Sequence, residues 1–311
     1  MRQSRSSVLW TMRRDRRHTR RWQAILSLGL RATAIPWFLR ELYARHKVTV
    51  VNYHDPVPDV FAAHMKTFSR IYSFVGIDEV LHALEARDFS LLPPKPLLVT
   101  LDDGYVGNAR LLDVLADYRV PVVIYAVAGV VGTNRAFWFD LLAHHGAAMD
   151  KLKCAPDGDR RRTMEREYGH TDEREYATTT ALSVPQLLEV VERHGTIGSH
   201  TVFHPLLERC SEDVGRRECA ESRRILEGLL GGPVWHFALP DGSGGREVRS
   251  WVVNAGYRTC RTTTPGWVTP RSDPLAISNF GIADDADVHK AVVQACGLWS
   301  FLKRVCIHSL Q

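Results

Sequence analysis

The chain has 311 residues, of which 45% are hydrophobic and 24% are charged, a composition that excludes a disordered or fibrous protein and indicates a globular one. Its formal net charge of +5 is unevenly distributed, because residues 1–47 carry +10 and the remainder carries −5. The six cysteines show no CxxC pairing, which argues against a zinc ribbon or a disulfide framework and favours a reducing compartment.

The basic segment 1–47 is predicted to be an arm attached to a mildly acidic body. Its apolar stretch 24–39 is interrupted by Arg31 and Pro36 and is shorter than the roughly 20 residues that a bilayer requires. The stretch also lies too far from the N-terminus for a signal peptide. We therefore expect no transmembrane helix and a cytoplasmic protein.

Two interpretations of the arm remain open. It is either a solvated tail or an interfacial helix that lies on an anionic membrane surface, which would place the protein at the inner face of the membrane. Nucleic acid is the least favoured partner, because the arm contains no recognised nucleic-acid-binding motif.

From Val48 onward, strand and helix patterns alternate. β-branched or continuous apolar runs predict strands at 48–53, 97–101, 121–127, 196–199, 234–239 and 257–261. Helical spacing predicts helices within 61–87 and at 108–118, 184–194, 213–230, 246–255 and 288–303, with Ser183 as an N-cap. This order predicts an α/β fold whose parallel sheet is closed, or nearly closed, into a barrel.

We expect a single domain over residues 48–303, followed by a tail at 304–311. Residues 133–182 break the alternation, because 157–180 are rich in Arg, Glu, Asp and Thr with little periodicity. We interpret 133–182 as a partly helical, largely exposed insertion.

Two polar motifs follow predicted strands. Leu101-Asp-Asp-Gly-Tyr105 ends one buried run, and Gly198-Ser-His-Thr-Val-Phe-His-Pro205 follows another. Adjacent carboxylates in a buried pocket are unfavourable as bare charges, and a divalent metal would resolve this by taking one as a ligand and leaving the other as a base. Two histidines would complete a three-ligand site with open positions, which is the arrangement of catalytic metal centres.

Further polar residues follow other predicted strands. His54 comes after the first strand, and Pro240-Asp241-Gly242 follows the strand at 234–239. Because barrel active sites lie at the C-terminal ends of the strands, all four loops are predicted to converge on one mouth.

These motifs resemble those of a known family. Thr100–Tyr105 and Ile197–Leu206 are similar to motifs one and two of the polysaccharide deacetylases, the NodB-homology domain or carbohydrate esterase family 4. His236–Gly242 resembles the Phe-Ala-Tyr-Pro-Tyr-Gly form of motif three, and Val51–Asp55 resembles the opening strand of the family. The resemblance covers about residues 48–303 and implies a single-domain, distorted (β/α)7 barrel.

The resemblance also implies roles for individual residues. Asp102 would be the general base, and Asp103, His200 and His204 would hold one divalent metal ion, with Zn favoured and Co or another divalent metal as alternatives. The residues assigned to the substrate or the oxyanion are His54, Pro240, Asp241, Trp138 and Trp267. The two tryptophans are equally well explained as core aromatics.

Three positions depart from the family pattern. Ala238 occupies the place of a motif-three arginine, as in the Phe-Ala subgroup, and Asp241 replaces a tyrosine. His308 is a poor match to the histidine that supplies the general acid, and a frayed tail explains it better.

The leading prediction is a metal-dependent hydrolase that removes N-acetyl groups from an amino-sugar-containing polysaccharide or lipid-linked glycan. One alternative is a glycan-binding or scaffold protein that has lost turnover on the same fold. A second alternative keeps the metal site but hydrolyses another non-peptide C–N amide bond.

Overall fold

The protein is an α/β barrel in which all the strands pair in parallel. The computed structural model describes residues 22–145, 149–242 and 244–308. Within these residues the strands are β1 Thr49–Tyr53, β2 Ser73–Phe74, β3 Pro96–Leu101, β4 Val123–Ala126, β5 Thr196–Ser199, β6 His236–Ala238, β7 Thr259–Pro265 and β8 Ile277–Gly281.

Seven of these strands form a closed ring in the order β1-β3-β4-β5-β6-β7-β8. The ring closes because β1 pairs with β3 on one side and with β8 on the other, for example through Val50↔Leu98 and Val51↔Phe280. The short strand β2 lies beside the beginning of β3. The predicted (β/α)7 barrel is therefore confirmed.

Helices surround the barrel. The α-helices of the described part are α1 at 22–32, α2 Ile35–Phe38, α3 Pro58–Phe68, α4 Ile77–Ala86, α5 Leu112–Asp117, α6 Trp138–His145, α7 Met149–Cys154, α8 Asp157–Tyr168, α9 Val184–Glu192, α10 Glu212–Leu230, α11 Arg246–Asn254, α12 Val288–Ala295 and α13 Leu298–His308. A π-helical turn, Leu39–Tyr43, continues α2.

The strands form where the chain is apolar on both faces. Every residue of β1, β3 and β4 is buried, as parallel strands covered by helices on one side and by the barrel interior on the other must be. The predicted N-cap of α9 is also present, since the Ser183 hydroxyl accepts a hydrogen bond from the Gln186 amide.

Two features of the C-terminal part differ from the prediction. Strand β8 was not predicted, because Ser278 and Asn279 interrupt its apolar pattern, although Asn279 is buried. The single helix predicted at 288–303 is two helices, α12 and α13. They are separated at Gly297, whose φ of +75° is a left-handed conformation that ends a helix.

The 133–182 segment contains α6, α7 and α8. Its polar helix α8 carries a buried ion pair between Arg160 and Asp157, and the Arg160 guanidinium lies 4.6 Å from the centre of the Trp138 ring. In the described part of the chain, no helix is long and apolar enough to cross a membrane. The prediction for residues 1–21 lies outside the described residues.

Candidate active site

The loop after β3 directs two adjacent carboxylates into the barrel mouth. The Asp102 amide donates to the Tyr53 carbonyl at 2.9 Å and so continues the sheet by one residue. The chain then turns through Asp103 and Gly104, with φ values of +68° and +71°. A side chain at Gly104 would meet Ala126 Cβ at 3.1 Å, so this tight turn requires glycine.

The loop after β5 holds the two histidines of the second motif. Thr201 and His204 have φ values of +68° and +56°, a strained conformation for residues other than glycine that is concentrated at functional sites. The His204 amide donates to the Thr201 hydroxyl at 2.9 Å. Between them, a buried carboxylate oxygen of Glu218 accepts from the amides of Val202 (2.8 Å) and Phe203 (3.2 Å).

These two loops bring Asp103, His200 and His204 together. Asp103 Oδ1 lies 3.5 Å from His200 Nε2 and 3.4 Å from His204 Nε2. His200 Nδ1 lies 2.8 Å from the Ala238 carbonyl, which only accepts hydrogen bonds, so Nδ1 carries the proton and Nε2 presents its lone pair. One carboxylate oxygen and two ring nitrogens thus converge on one point.

The electrostatics of the cluster fit a divalent cation. Burial, together with the Asp102 carboxylate, raises the pKa of Asp103 to about 7 although His54 opposes this, and its Oδ1 has no hydrogen-bond partner. Burial lowers the pKa of His200 to about 4 and that of His204 well below its usual value, so both rings are neutral. Neutral imidazoles and a carboxylate without a partner are the donors that such an ion requires.

Asp102 does not belong to this cluster. Burial alone would raise its pKa, but the Arg261 guanidinium, with His200 and His54, holds the pKa below its usual value. One Arg261 nitrogen contacts both oxygens of Asp102, and the Asn52 amide donates to Oδ2 at 3.3 Å. Asp102 is therefore an ionised carboxylate beside the three candidate metal ligands Asp103, His200 and His204.

Arg261 was not identified from the sequence as a site residue. Arg261 lies on β7 directly opposite Ala238 of β6, the residue at the place of the motif-three arginine. The guanidinium beside Asp102 therefore comes from the neighbouring strand. An arginine inside a buried strand was the available signal, since a buried charge requires a partner.

His54 follows β1 at the same end of the barrel and is exposed to solvent. Its backbone is fixed on both sides, because its amide donates to Asp284 Oδ1 at 3.0 Å and its carbonyl accepts from Asn108 at 2.8 Å. Although the residue is exposed, the protein atoms around its ring partly desolvate it and favour the neutral form, but the carboxylates of Asp102, Asp103 and Asp284 outweigh this effect and raise the pKa of His54.

The turn after β6 contains buried Pro240 and exposed Asp241, whose φ is +54°. The Asp241 carboxylate accepts from Lys153 of α7 at 2.8 Å, and its carbonyl accepts from the Thr263 hydroxyl. The 133–182 segment thus contacts the third motif, and the carboxylate introduced by Asp241 has a cationic partner.

The structure contradicts a stacking role for Trp138. This side chain is only 1% exposed, so neither ring face is available to a sugar, and its indole N–H donates to the His204 carbonyl at 3.0 Å. Trp138 is therefore a core aromatic that supports the second motif.

Trp267 packs edge-on against Tyr43 and Phe280 in an apolar groove that none of the three candidate metal ligands lines. The backbone of His308 lies at the end of α13, and its side chain is outside the described part.

Comparisons with solved structures agree with this architecture. The deacetylase PplD of Streptococcus pyogenes, solved with acetate, is 18% identical with a TM-score of 0.59, and the match covers 80% of this chain and 98% of that one. IcaB from Ammonifex degensii is 20% identical with a TM-score of 0.59, covering 80% and 97%. The BpsB deacetylase domain from Bordetella bronchiseptica is 17% identical with a TM-score of 0.55, covering 76% and 96%.

A comparison with curated proteins finds no significant match. The family model described as polysaccharide deacetylase matches residues 91–260, a range that contains both carboxylates and both histidines of the site. This match covers more than half of the chain. The chain therefore belongs to the polysaccharide deacetylase family, whose members are hydrolases of non-peptide carbon–nitrogen bonds.

Proposed function

We propose that the protein removes N-acetyl groups from an amino-sugar-containing glycan, with a divalent metal ion, preferably Zn²⁺, held by Asp103, His200 and His204. The observation that carries the proposal is the convergence of these three donors beside an ionised Asp102. Such an ion, when bound, polarises the amide carbonyl and acidifies a water molecule.

The protein's own groups then divide the proton transfers. Asp102 removes a proton from the water whose oxygen adds to the acetamide carbon, and Arg261 and Asn52 keep this base ionised and oriented. The backbone N–H of Asp241 is proposed to stabilise the oxyanion.

His54 is proposed as the general acid. The carboxylates around it raise the pKa of His54 and so favour the protonated ring, which is proposed to donate a proton to the departing amine nitrogen as the C–N bond breaks. Acetate and a free amino sugar are the products. His54 takes this role in preference to His308.

The test is acetate release by the purified full-length protein, loaded with Zn²⁺ or Co²⁺, from N-acetylglucosamine oligomers and a panel of acetylated surface glycans. We expect Asp102→Asn to abolish release while the protein retains metal, because only the base is lost. Asp117→Asn, an exposed carboxylate of α5, is the matched control and should retain full activity.

Absence of metal retention together with absence of acetate release across the panel would overturn the proposal. Release of product from a small cyclic amide, with none from sugars, would favour the alternative substrate class. If Asp102→Asn preserves cellular function, a binding or scaffold role is favoured instead.

A further inference from the structure

The N-terminal helices have an inverted amphipathic pattern. Most of the α1 residues that face the protein are polar, although Leu30 packs on the buried residues Val293 and Leu298. Ser27 is fully buried, the Gln23 side-chain oxygen accepts from Lys290 at 2.9 Å, and Arg31 lies within hydrogen-bond distance of His289, at 3.2 Å. The opposite face carries Trp22 and Leu26, with exposures of 66% and 51%. A surface helix ordinarily turns its apolar stripe inward, so this outward stripe indicates an apolar partner.

The exposed apolar residues are concentrated in this region. Nine of the 17 large apolar side chains that are exposed in the described part lie within residues 22–43, and Phe301 of α13 adds another at 63% exposure. We call the surface formed by residues 22–43 and Phe301 the apolar face. Scattered exposed apolar residues need no explanation, but a cluster of this density marks an interaction site.

A groove of about 550 Å³ opens within the apolar face. Its lining includes Phe38, Leu39 and Tyr43 from the N-terminal segment and Trp267, Leu298 and Phe301 from the C-terminal part of the chain. Pro265 also borders the groove. It lies two residues beyond Thr263, whose hydroxyl donates a hydrogen bond to the Asp241 carbonyl at the barrel mouth. The groove therefore adjoins the segment that connects to the candidate active site.

The positive charge of residues 1–47 indicates which kind of partner binds the apolar face. Residues 1–21 contain eight arginines and one aspartate, and residues 22–47 add Arg31, Arg40, Arg45 and Lys47 against Glu41. Two copies meeting through this face would bring two strongly cationic segments together, which is unfavourable. An anionic bilayer satisfies both the apolar side chains and the positive charge.

We propose that the apolar face docks the protein on an anionic lipid bilayer, with α1 and α2 lying in the interface and the groove receiving a lipid hydrocarbon chain. Neither helix spans the membrane, since no described helix is long and apolar enough to do so. The docking surface is separate from the deacetylation chemistry and stands without it.

The experiment is sedimentation of the full-length protein with vesicles of phosphatidylcholine, with and without phosphatidylglycerol. We expect binding to the anionic vesicles that weakens at high salt, and quenching of tryptophan fluorescence by brominated lipid, because Trp22 and Trp37 are exposed on the apolar face. Leu26→Glu and Phe38→Glu should each reduce vesicle partitioning by about tenfold or more.

The control variants Leu188→Glu and Val191→Glu make the same change at exposed apolar positions on α9. Each should bind anionic vesicles as the unaltered protein does. Near-ultraviolet circular dichroism of each variant checks the fold independently of activity. Absence of vesicle binding, or equal binding by Leu26→Glu and the unaltered protein, would overturn the proposal. So would a stable dimer in lipid-free solution that Leu26→Glu converts to a monomer.

Discussion

Arg261 sets the ionisation of the candidate base. Without its guanidinium, burial would act on Asp102 with less opposition and raise the pKa of that carboxylate. Because the base works only when ionised, we expect Arg261→Met to move the acidic limb of the kcat/KM profile to higher pH. Activity should fall more at acidic than at alkaline pH, and Arg261→Lys should give a smaller displacement.

The control for this prediction is Arg258→Met, which removes an exposed guanidinium paired with Glu85 near the beginning of the same strand. Thermal melting separates a change in ionisation from a loss of fold, since an unpaired buried Asp102 carboxylate costs about 3–5 kcal/mol. A folded Arg261→Met variant with an unchanged acidic limb would contradict the assigned role.

The residues of the site differ in how far the sequence predicts them. Asp102, Asp103, His200 and His204 belong to contiguous motifs at strand ends, and the structure brings these motifs together as expected. The contact of Arg261 with Asp102 depends on the register of β6 and β7, which no local pattern specifies. The role of Trp138 could not be predicted from its residue type, because a tryptophan can either stack on a sugar or pack in the core. Its burial in the structure distinguishes the two roles.

At the scale of elements, α10 stabilises the histidine loop through Glu218. We expect Glu218→Ala to weaken metal affinity by about 10- to 100-fold, because the buried amides of Val202 and Phe203 lose their acceptor and the loop loses its geometry. Glu218→Gln keeps an acceptor oxygen and should have the smaller effect. Metal titration monitored by the Co²⁺ absorption spectrum measures both affinities.

Glu221→Ala on the same helix removes a more exposed carboxylate that pairs with Arg224, and metal affinity should then be unchanged. If Glu218→Ala binds metal as tightly as the unaltered protein, Glu218 does not position the loop, and its other contacts, such as those of Thr201 and Trp138, are sufficient.

Elements were predictable where their patterns are strong. The buried strands β1 and β3 and the capped helix α9 follow directly from apolar runs and an N-cap. Strand β8 was not predictable, because its burial comes from the neighbouring strands β1 and β7 rather than from its own composition.

At the scale of the whole molecule, binding of a divalent ion at the metal cluster should increase the free energy of unfolding. Asp103 is buried, and one of its carboxylate oxygens lacks a hydrogen-bond partner. A divalent ion that binds there only in the folded state therefore stabilises the folded state. At a free Zn²⁺ concentration 100 times Kd this amounts to about 2.7 kcal/mol. We expect the Tm to rise by several degrees on Zn²⁺ addition and to fall again with a chelator.

Asp103→Asn should abolish the Zn²⁺-dependent rise, whereas Asp117→Asn should retain it. A Tm that does not respond to Zn²⁺, Co²⁺ or any other divalent ion would exclude a metal site at this cluster.

The position of β1 in the ring has a consequence for synthesis on the ribosome. β1 is the first barrel strand to be translated, yet one of its two neighbours, β8, is the last. Until residue 281 leaves the exit tunnel, the edge of β1 that β8 will cover has no partner in the native barrel, and an unpaired strand edge favours association between nascent chains. Barrel closure is thus a late, long-range event, and chaperone dependence should be greatest while β8 is still inside the exit tunnel.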